Sequence, residues 1–415
     1  MKKKTLLFFT STFPYGTGET FIENEFPFIE QEYEQVIIIT NHPIKQKSRL
    51  SNNQSIKVIY FPYELSNWQK LLSLKHIFHA DFIKELNTIK SSYKLSFNST
   101  ILKTCFSSFQ KAILLEKLIN DIIKKFELKP SELVLYSYWM NDLALGLAYY
   151  SKKNKQTFSI CRAHGWDIYM NRNPDNYLPF RNYILTHIDK CFAISKNGLN
   201  YLNQLTQNAF QSKIELAHLG TINDERSLIE KDSIFRLVSC SNLIPLKRVH
   251  LIIEALSKVN FPLQWVHFGS GKEFDTLKQK ATHLLQKKES IEIIFKGQID
   301  NTELKKYYST TYVDAFINVS ETEGIPVSIM EALSFGIPCI ATNVGGNAEI
   351  VNPENGIVLT ENPSISEICS AIEQINHLTI EESLIKRKNA FISWNDRYNA
   401  EINYPEFYRR LRLDR

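Results

Sequence analysis

The sequence predicts an α/β fold built from two doubly wound domains in tandem, each with a parallel sheet between helices. Three observations predict it. Apolar runs of four to six residues recur without polar alternation, as in strands buried on both faces. Helical periods lie between most of them, which implies parallel strands joined by right-handed crossovers. The pattern occurs as two series separated by a polar stretch, and 415 residues are enough for two domains.

The first series comprises Leu6–Phe9, Val36–Ile39, Val58–Phe61, Leu133–Tyr136, Phe158–Cys161 and Cys191–Ile194. The second comprises Phe235–Val238, Trp265–Phe268, Ile291–Phe295, Ala315–Val319 and Pro338–Ala341. Helices are expected at Glu19–Glu30, Val249–Val259 and Pro326–Phe335, among others. The apolar pattern breaks at 220–233, so the expected domains are 1–222 and 233–392, both Rossmann-like. A helical segment, 393–415, carries Trp394, Tyr398, Tyr404, Phe407 and Tyr408 and is a candidate to pack back on the first domain.

Hydrophobic residues make up 43% and charged residues 22%, which excludes long-chain disorder and fibrous repeats. A net charge of +5 is too small a surplus for a dedicated nucleic-acid binder. The six cysteines form no C-x-x-C pair, so they read as buried free thiols rather than a disulfide framework or zinc site. No apolar run is long enough to span a membrane. Lys2-Lys3-Lys4 followed by Leu6–Phe9 imitates a secretion signal. Thr10, Ser11 and Thr12 interrupt it and no small-x-small cleavage site follows, so it reads as the first strand of a cytoplasmic protein.

Segment 61–130 departs from the strand–helix rhythm. Eleven lysines stand there against six acids, with no arginine, and Trp68, Phe78, Phe82, Phe97, Phe106 and Phe109 are interleaved. Two readings stand. One is a basic, aromatic surface facing anionic lipid headgroups or an acidic acceptor. The other is a solvated helical hairpin with its aromatics in the core.

The most informative stretch runs from Ser320 to Ile350. A strand ends at Ser320, Gly324 supplies a turn, and Pro326 suits the first turn of a helix. That helix therefore starts at the carboxyl end of a parallel strand, where open α/β sheets bind ligands. The N–H groups of Gly324, Ile325 and Val327, flanking Pro326, form an anion site by geometry and dipole. Glu323 stands before the helix and Glu331 inside it. Two acceptors so spaced suit two polyhydroxylated rings joined by a diphosphate.

The spacing of Glu323 and Glu331, with Glu-Gly-Ile-Pro, Glu-Ala-Leu-Ser-Phe-Gly-Ile-Pro and Gly-Gly-Asn-Ala-Glu-Ile, resembles the retaining GT-B glycosyltransferases of family 4. The resemblance implies the GT-B fold, two Rossmann-like domains facing a central cleft, with the first, 1–222, binding the acceptor and the second, 233–392, binding the nucleotide-sugar. It gives Glu323 the hydroxyls of the donor sugar and Glu331 the nucleotide ribose. Ser239–Val249 resembles the family's Gly-Arg-x-x-x-x-Lys loop, which neutralises the diphosphate. Lys247 matches its Lys, Asn242 replaces its Arg, and Arg248 is the adjacent candidate to compensate. Cys161–Tyr169 is similar to the family's His-Gly-x-Asp segment, with His164 near the donor's reacting end and Asp167 on the acceptor side.

Thr12–Glu25 contains Gly16 and Gly18 after a strand and resembles the first loop of bacterial polysaccharide-type members; a plain tight turn is the other reading. Tyr138 and Trp139 end a further strand, either as candidate acceptor contacts or as a packed aromatic corner. Gly297 is also at a strand end, and the resemblance implies that it approaches the nucleotide base; Ser195 is expected to be a helix cap.

There is no Asp-x-Asp, Gly-x-Ser-x-Gly or Walker motif. The resemblance implies transfer of a sugar from a nucleotide diphosphate donor, a UDP-sugar first, to a hydroxyl of a glycan or lipid-linked acceptor in cell-envelope polysaccharide synthesis. No metal or cofactor beyond the nucleotide-sugar is expected. The location implied is cytoplasmic, at the inner face of the membrane if 61–130 touches lipid. A non-catalytic sugar-nucleotide-binding partner subunit is the alternative.

Overall fold

A computed structural model describes residues 3–16, 18–43, 48–50, 53–62, 77–223, 229–286 and 288–413. The chain divides into two compact units. One is Met1–Ala217 with Phe407–Arg415, the other His218–Glu406. The division falls just before the polar break at 220–233. The reason is local: Thr221 bridges to Asn399, and its hydroxyl accepts from Trp394 Nε1 at 2.8 Å, which holds it in the second unit.

The first unit runs β1 (Lys3–Thr10), α1 (Ile22–Glu32), β2 (Tyr33–Thr40), β3 (Ile56–Tyr60), α2 (Ala80–Ser91), α3 (Ser99–Lys125), β4 (Leu133–Ser137), α4 (Asp142–Lys153), β5 (Phe158–Ala163), α5 (Arg181–His187), β6 (Lys190–Ala193), α6 (Lys196–Leu205) and β7 (Ile214–Leu216). Its sheet has the order β3-β2-β1-β4-β5-β6-β7, with every pairing parallel. Leu6 to Phe9 and Leu133 to Tyr136 are fully buried, as unalternating runs require. Sequence order reverses between β1 and β4, the topological switch point where ligands bind in such sheets.

The second unit repeats the plan with β8 (Phe235–Cys240), α7 (Val249–Leu256), β9 (Leu263–Phe268), α8 (Phe274–Leu285), β10 (Ile291–Gly297), α9 (Asn301–Thr310), β11 (Ala315–Asn318), α10 (Val327–Ser334), β12 (Cys339–Thr342), α11 (Asn347–Ile350), β13 (Gly356–Leu359), α12 (Ile365–Asn376) and α13 (Ile380–Tyr398). Its parallel order is β10-β9-β8-β11-β12-β13, so the switch point lies between β8 and β11. Helix α14 (Ala400–Leu413) begins in the second unit and ends in the first.

The strands expected from apolar runs are present. Two edge strands, β7 and β13, were not among them, because Ile-Glu-Leu and Gly-Ile-Val-Leu are too short to stand out from flanking polar turns. Helix α1 starts at Ile22 rather than Glu19, since Glu19 holds a left-handed backbone, φ +55°, in the loop before it. Helix α10 starts at Val327, with Pro326 as an extended cap at ψ 120°.

In segment 61–130, residues 63–76, Trp68 included, lie outside the described residues. Phe82 and Phe109 are core; Ile77, Phe78, Ile83, Phe97 and Leu102 are exposed, as are Lys84, Lys90, Lys94 and Lys103. The aromatics are thus divided between core and surface. All six cysteines are free thiols, five of them buried.

Candidate active site

In the second unit the loops after β8 and β11 straddle the switch point. Residues Pro245–Lys247 form one 3₁₀ turn, which Arg248 ends with φ +49°. That turn carries Lys247 to Glu323, where Nζ and Oε1 are 2.5 Å apart. The same carboxylate oxygen accepts from Ser320 Oγ at 2.6 Å and Asn318 Nδ2 at 3.2 Å. Burial pushes the Glu323 carboxyl upward. Lys247, Ser320 and Asn318 outweigh that and hold it below its ordinary value, so it is an anion at neutral pH.

The N–H groups of Gly324, Ile325 and Val327 take no partner among the described residues. They stand beside Glu323 at the start of α10, as an anion site requires. This loop is braced from the next crossover. Gly346 N–H donates to Gly324 O at 2.7 Å, and a Cβ at 346 would lie 2.4 Å from that oxygen, so only glycine fits. Thr342 Oγ1 donates to Ser320 O at 2.7 Å.

Glu331 lies about 6 Å further along α10, at a rise of ~1.5 Å per residue. It is buried, not a surface acid, and accepts from Asn301 Nδ2 at 2.6 Å. Burial raises its carboxyl to about 7, with Asn301 and Lys305 opposing. Asn301 opens α9 just after β10, whose last residue, Gly297, accepts the Gly269 N–H at 2.8 Å.

Arg248 does not compensate for Asn242. Its guanidinium donates to Val319 O at 2.8 Å, Ser320 O and Glu361 O at 2.9 Å each, and Asn362 Oδ1 at 3.0 Å. It is a brace for the loop after β11. Asn242 is exposed and brings no charge.

In the first unit the loops after β1, β4 and β5 meet around His164. Its ring lies 4.3 Å from Trp139 and 5.1 Å from Tyr138, centroid to centroid. The residue is 6% exposed, and neither ring nitrogen has a hydrogen-bond partner among the described residues. Nδ1 lies 3.8 Å from Asp167 Oδ2, beyond hydrogen-bond distance. Asp167 is fully buried, and its carboxylate takes the N–H of His164 at 2.7 Å and of Met140 at 2.8 Å. It shapes the loop rather than facing an acceptor. Tyr138 is likewise buried, against Phe8 and Phe21, so of the two aromatic candidates only Trp139 is partly accessible.

Residues 222–391 match the family model for glycosyl transferases group 1. That match lies within the second unit. The chain as a whole has the GT-B glycosyltransferase fold: it superposes on Anabaena Alr3699/HepE, solved with UDP and glucose, at TM-score 0.67 and 14% identity, covering 99% of this chain and all of that one. It is 31% identical over 206 residues to N-acetyl-alpha-D-glucosaminyl L-malate synthase of Bacillus anthracis, covering 46% of this chain and 51% of the relative. It is 28% identical over 182 residues to Protein CapJ of Staphylococcus aureus, covering 40% and 43%. The chain thus spans about half the length of the curated relatives it matches.

Within this glycosyltransferase fold, sequence reasoning missed Glu19. Its carboxylate accepts from the N–H groups of Ser11 (2.9 Å), Thr12 (2.6 Å) and Phe13 (2.7 Å), and from Trp139 Nε1 at 2.5 Å. One side chain therefore folds the first loop and fixes the indole that packs on His164. The available signal was a carboxylate directly after a Gly-x-Gly turn at a strand end. Gly16 has φ +66°, and a Cβ there would meet His42 Nε2 at 3.1 Å. Gly18 gives its carbonyl to Arg49 at 2.7 Å. Both glycines answer to the loop's own packing.

Proposed function

We propose that the chain is a retaining, metal-independent glycosyltransferase of family 4. It moves a sugar from a nucleoside diphosphate donor, a UDP-sugar first, to a hydroxyl of a glycan or lipid-linked acceptor in cell-envelope polysaccharide synthesis. The carrying observation is the Lys247–Glu323 pair, set beside unpartnered N–H groups at the β8/β11 switch point. The UDP and glucose held by the Anabaena protein support the donor class. The likeness of Thr12–Glu25 to polysaccharide-type loops supports the pathway.

The chemistry follows from charge. The departing diphosphate gains negative charge, and fixed donors must already point at it. Lys247 and the N–H groups of Gly324, Ile325 and Val327 are those donors. Asn242 offers a neutral amide, so the cationic share in this loop falls to Lys247. Glu323, kept ionised, accepts the sugar hydroxyls. Glu331 takes the ribose hydroxyls, and Gly297 lies by the base. His164 serves the reacting end with its Nε2, while Nδ1 lies 3.8 Å from Asp167 Oδ2. The leaving phosphate assists deprotonation of the acceptor, and no protein nucleophile is assigned. The exposed Phe78, Ile77 and Phe97 with Lys84, Lys90 and Lys94 face anionic lipid in this reading.

The test is kinetic. Glu331→Ala should weaken UDP-glucose binding, read as a lost thermal stabilisation by the donor. Glu323→Ala should mainly lower kcat, by about 10²–10³-fold if it acts only in the transition state. Wild-type behaviour in both variants removes the assignment. Arg248 being spent on the loop favours one rival, a non-catalytic sugar-nucleotide-binding subunit. Hydrolysis of UDP-glucose by the purified chain without acceptor decides against that rival; donor binding without hydrolysis or transfer decides for it.

A further inference from the structure

The first unit holds a cavity of about 650 Å³, within the usual range for small-ligand sites. One wall is the hydroxyl-bearing face of α3, where Thr100, Lys103, Thr104 and Lys111 follow one another at helical spacing. The opposite wall includes Trp166 and Arg181. Trp166 is 45% exposed and packs on Trp139 at 5.3 Å, so the cavity adjoins the aromatic group around His164.

The charged side chains that line it are mainly basic. Lys103, Lys111 and Arg181 stand against one lining carboxylate, Asp142, which pairs with Lys111 at 2.9 Å. Arg181 is 1% exposed; the buried carboxylates of Asp167 and Glu85 balance its charge, and it donates to Met140 O, yet its Nε has no hydrogen-bond partner among the described residues. A buried guanidinium N–H without an acceptor is costly unless something supplies one. Hydroxyls in a row, an exposed indole face, the exposed Lys103 and the open Arg181 Nε together describe a site for a sugar that carries an anion.

We propose that this cavity is a subsite of the first unit for an anionic saccharide, one bearing a carboxylate or phosphate, held with a ring face on Trp166 and its anion toward Lys103 and Arg181. The proposal rests on the reading that the first domain presents the acceptor, and it names the acceptor's chemical class. The two sources of the anion, a uronate within a glycan and a phosphate at its linked end, share this chemistry.

Isothermal titration of the full chain with trigalacturonate, N-acetylglucosamine 1-phosphate and neutral maltotriose tests it. At least one acidic probe should bind tenfold or more tightly than maltotriose, with the preferred one identifying the source. Lys103→Glu and Trp166→Ala, both at accessible positions, should reduce that affinity at least fivefold while melting as the wild type does. Maltotriose binding within twofold of both acidic probes overturns the proposal. So does wild-type affinity for the acidic probe in both variants. UDP-glucose titrated into the same wild-type preparation reads the donor assignment separately, so one can fail while the other stands.

Discussion

Two carboxylates on one loop and helix show how neighbours set a residue's chemistry. Glu323 is buried beside an ammonium and two neutral donors, so it stays ionised. Glu331 is as deeply buried but has one amide donor, so its carboxyl rises to about 7. The stability consequence has a definite sign. A carboxyl raised from its ordinary ~4.3 favours folding fully below that pH, and the benefit is lost as pH climbs through about 7. Glu331→Gln keeps the oxygen that accepts from Asn301 and cannot ionise. It should therefore stabilise the ligand-free protein at pH 8, on the order of 3 kcal/mol, and change little at pH 4.5. Urea unfolding at both pH values measures this. An equal effect at the two would mean that Glu331 does not titrate in the native state.

At the scale of the element, the site loops are held by residues that touch no reacting group. Arg248 joins the start of α7 to the end of β11 and to 361–362 through four acceptors. Its replacement by Met should cost about 2–4 kcal/mol, because charged donors leave carbonyls unsatisfied when removed. Turnover should fall with it, since Ser320 and Glu323 hang on the same loop. Lys247→Met should instead lower turnover with a smaller change in the urea midpoint. If the two variants behaved alike, the division between brace and working cation would be wrong. Glu19 plays the bracing part in the first unit, where three backbone N–H groups and the Trp139 indole converge on one carboxylate.

At the scale of the whole chain, the last residues return to the first unit. Tyr408 Oη donates to Glu25 Oε1 at 2.7 Å, and Phe407 lies under the Arg162 guanidinium at 4.3 Å. Glu25 and Arg162 are wholly buried and form an ion pair at 3.3 Å, and Tyr136 Oη gives Glu25 a second hydrogen bond at 3.0 Å. The membrane reading belongs to this scale too. The 415-residue chain should co-sediment with vesicles containing anionic phospholipid and release as salt rises, because each basic residue near such a surface contributes about 1 kcal/mol. Phe78→Ser with Lys84→Glu should reduce binding several-fold; equal sedimentation with neutral vesicles would count against the lysines.

What the sequence determined by itself was local or periodic. Apolar runs located eleven strands, because a strand buried on both faces leaves no room for polar residues. The Ser320–Ile350 stretch disclosed a strand, an anion-ready turn and a helix, because Gly324 and Pro326 act over a few bonds. Tertiary structure alone decided which charges are available. Lys247 and Arg248 are adjacent in sequence, yet one reaches Glu323 and the other is consumed by backbone carbonyls. Asp167 and Tyr138 looked like acceptor contacts and are buried supports, while Glu19, expected to open a helix, orders a loop. Hydrogen-bond partners and desolvation depend on residues far away in the chain, and no local pattern encodes them.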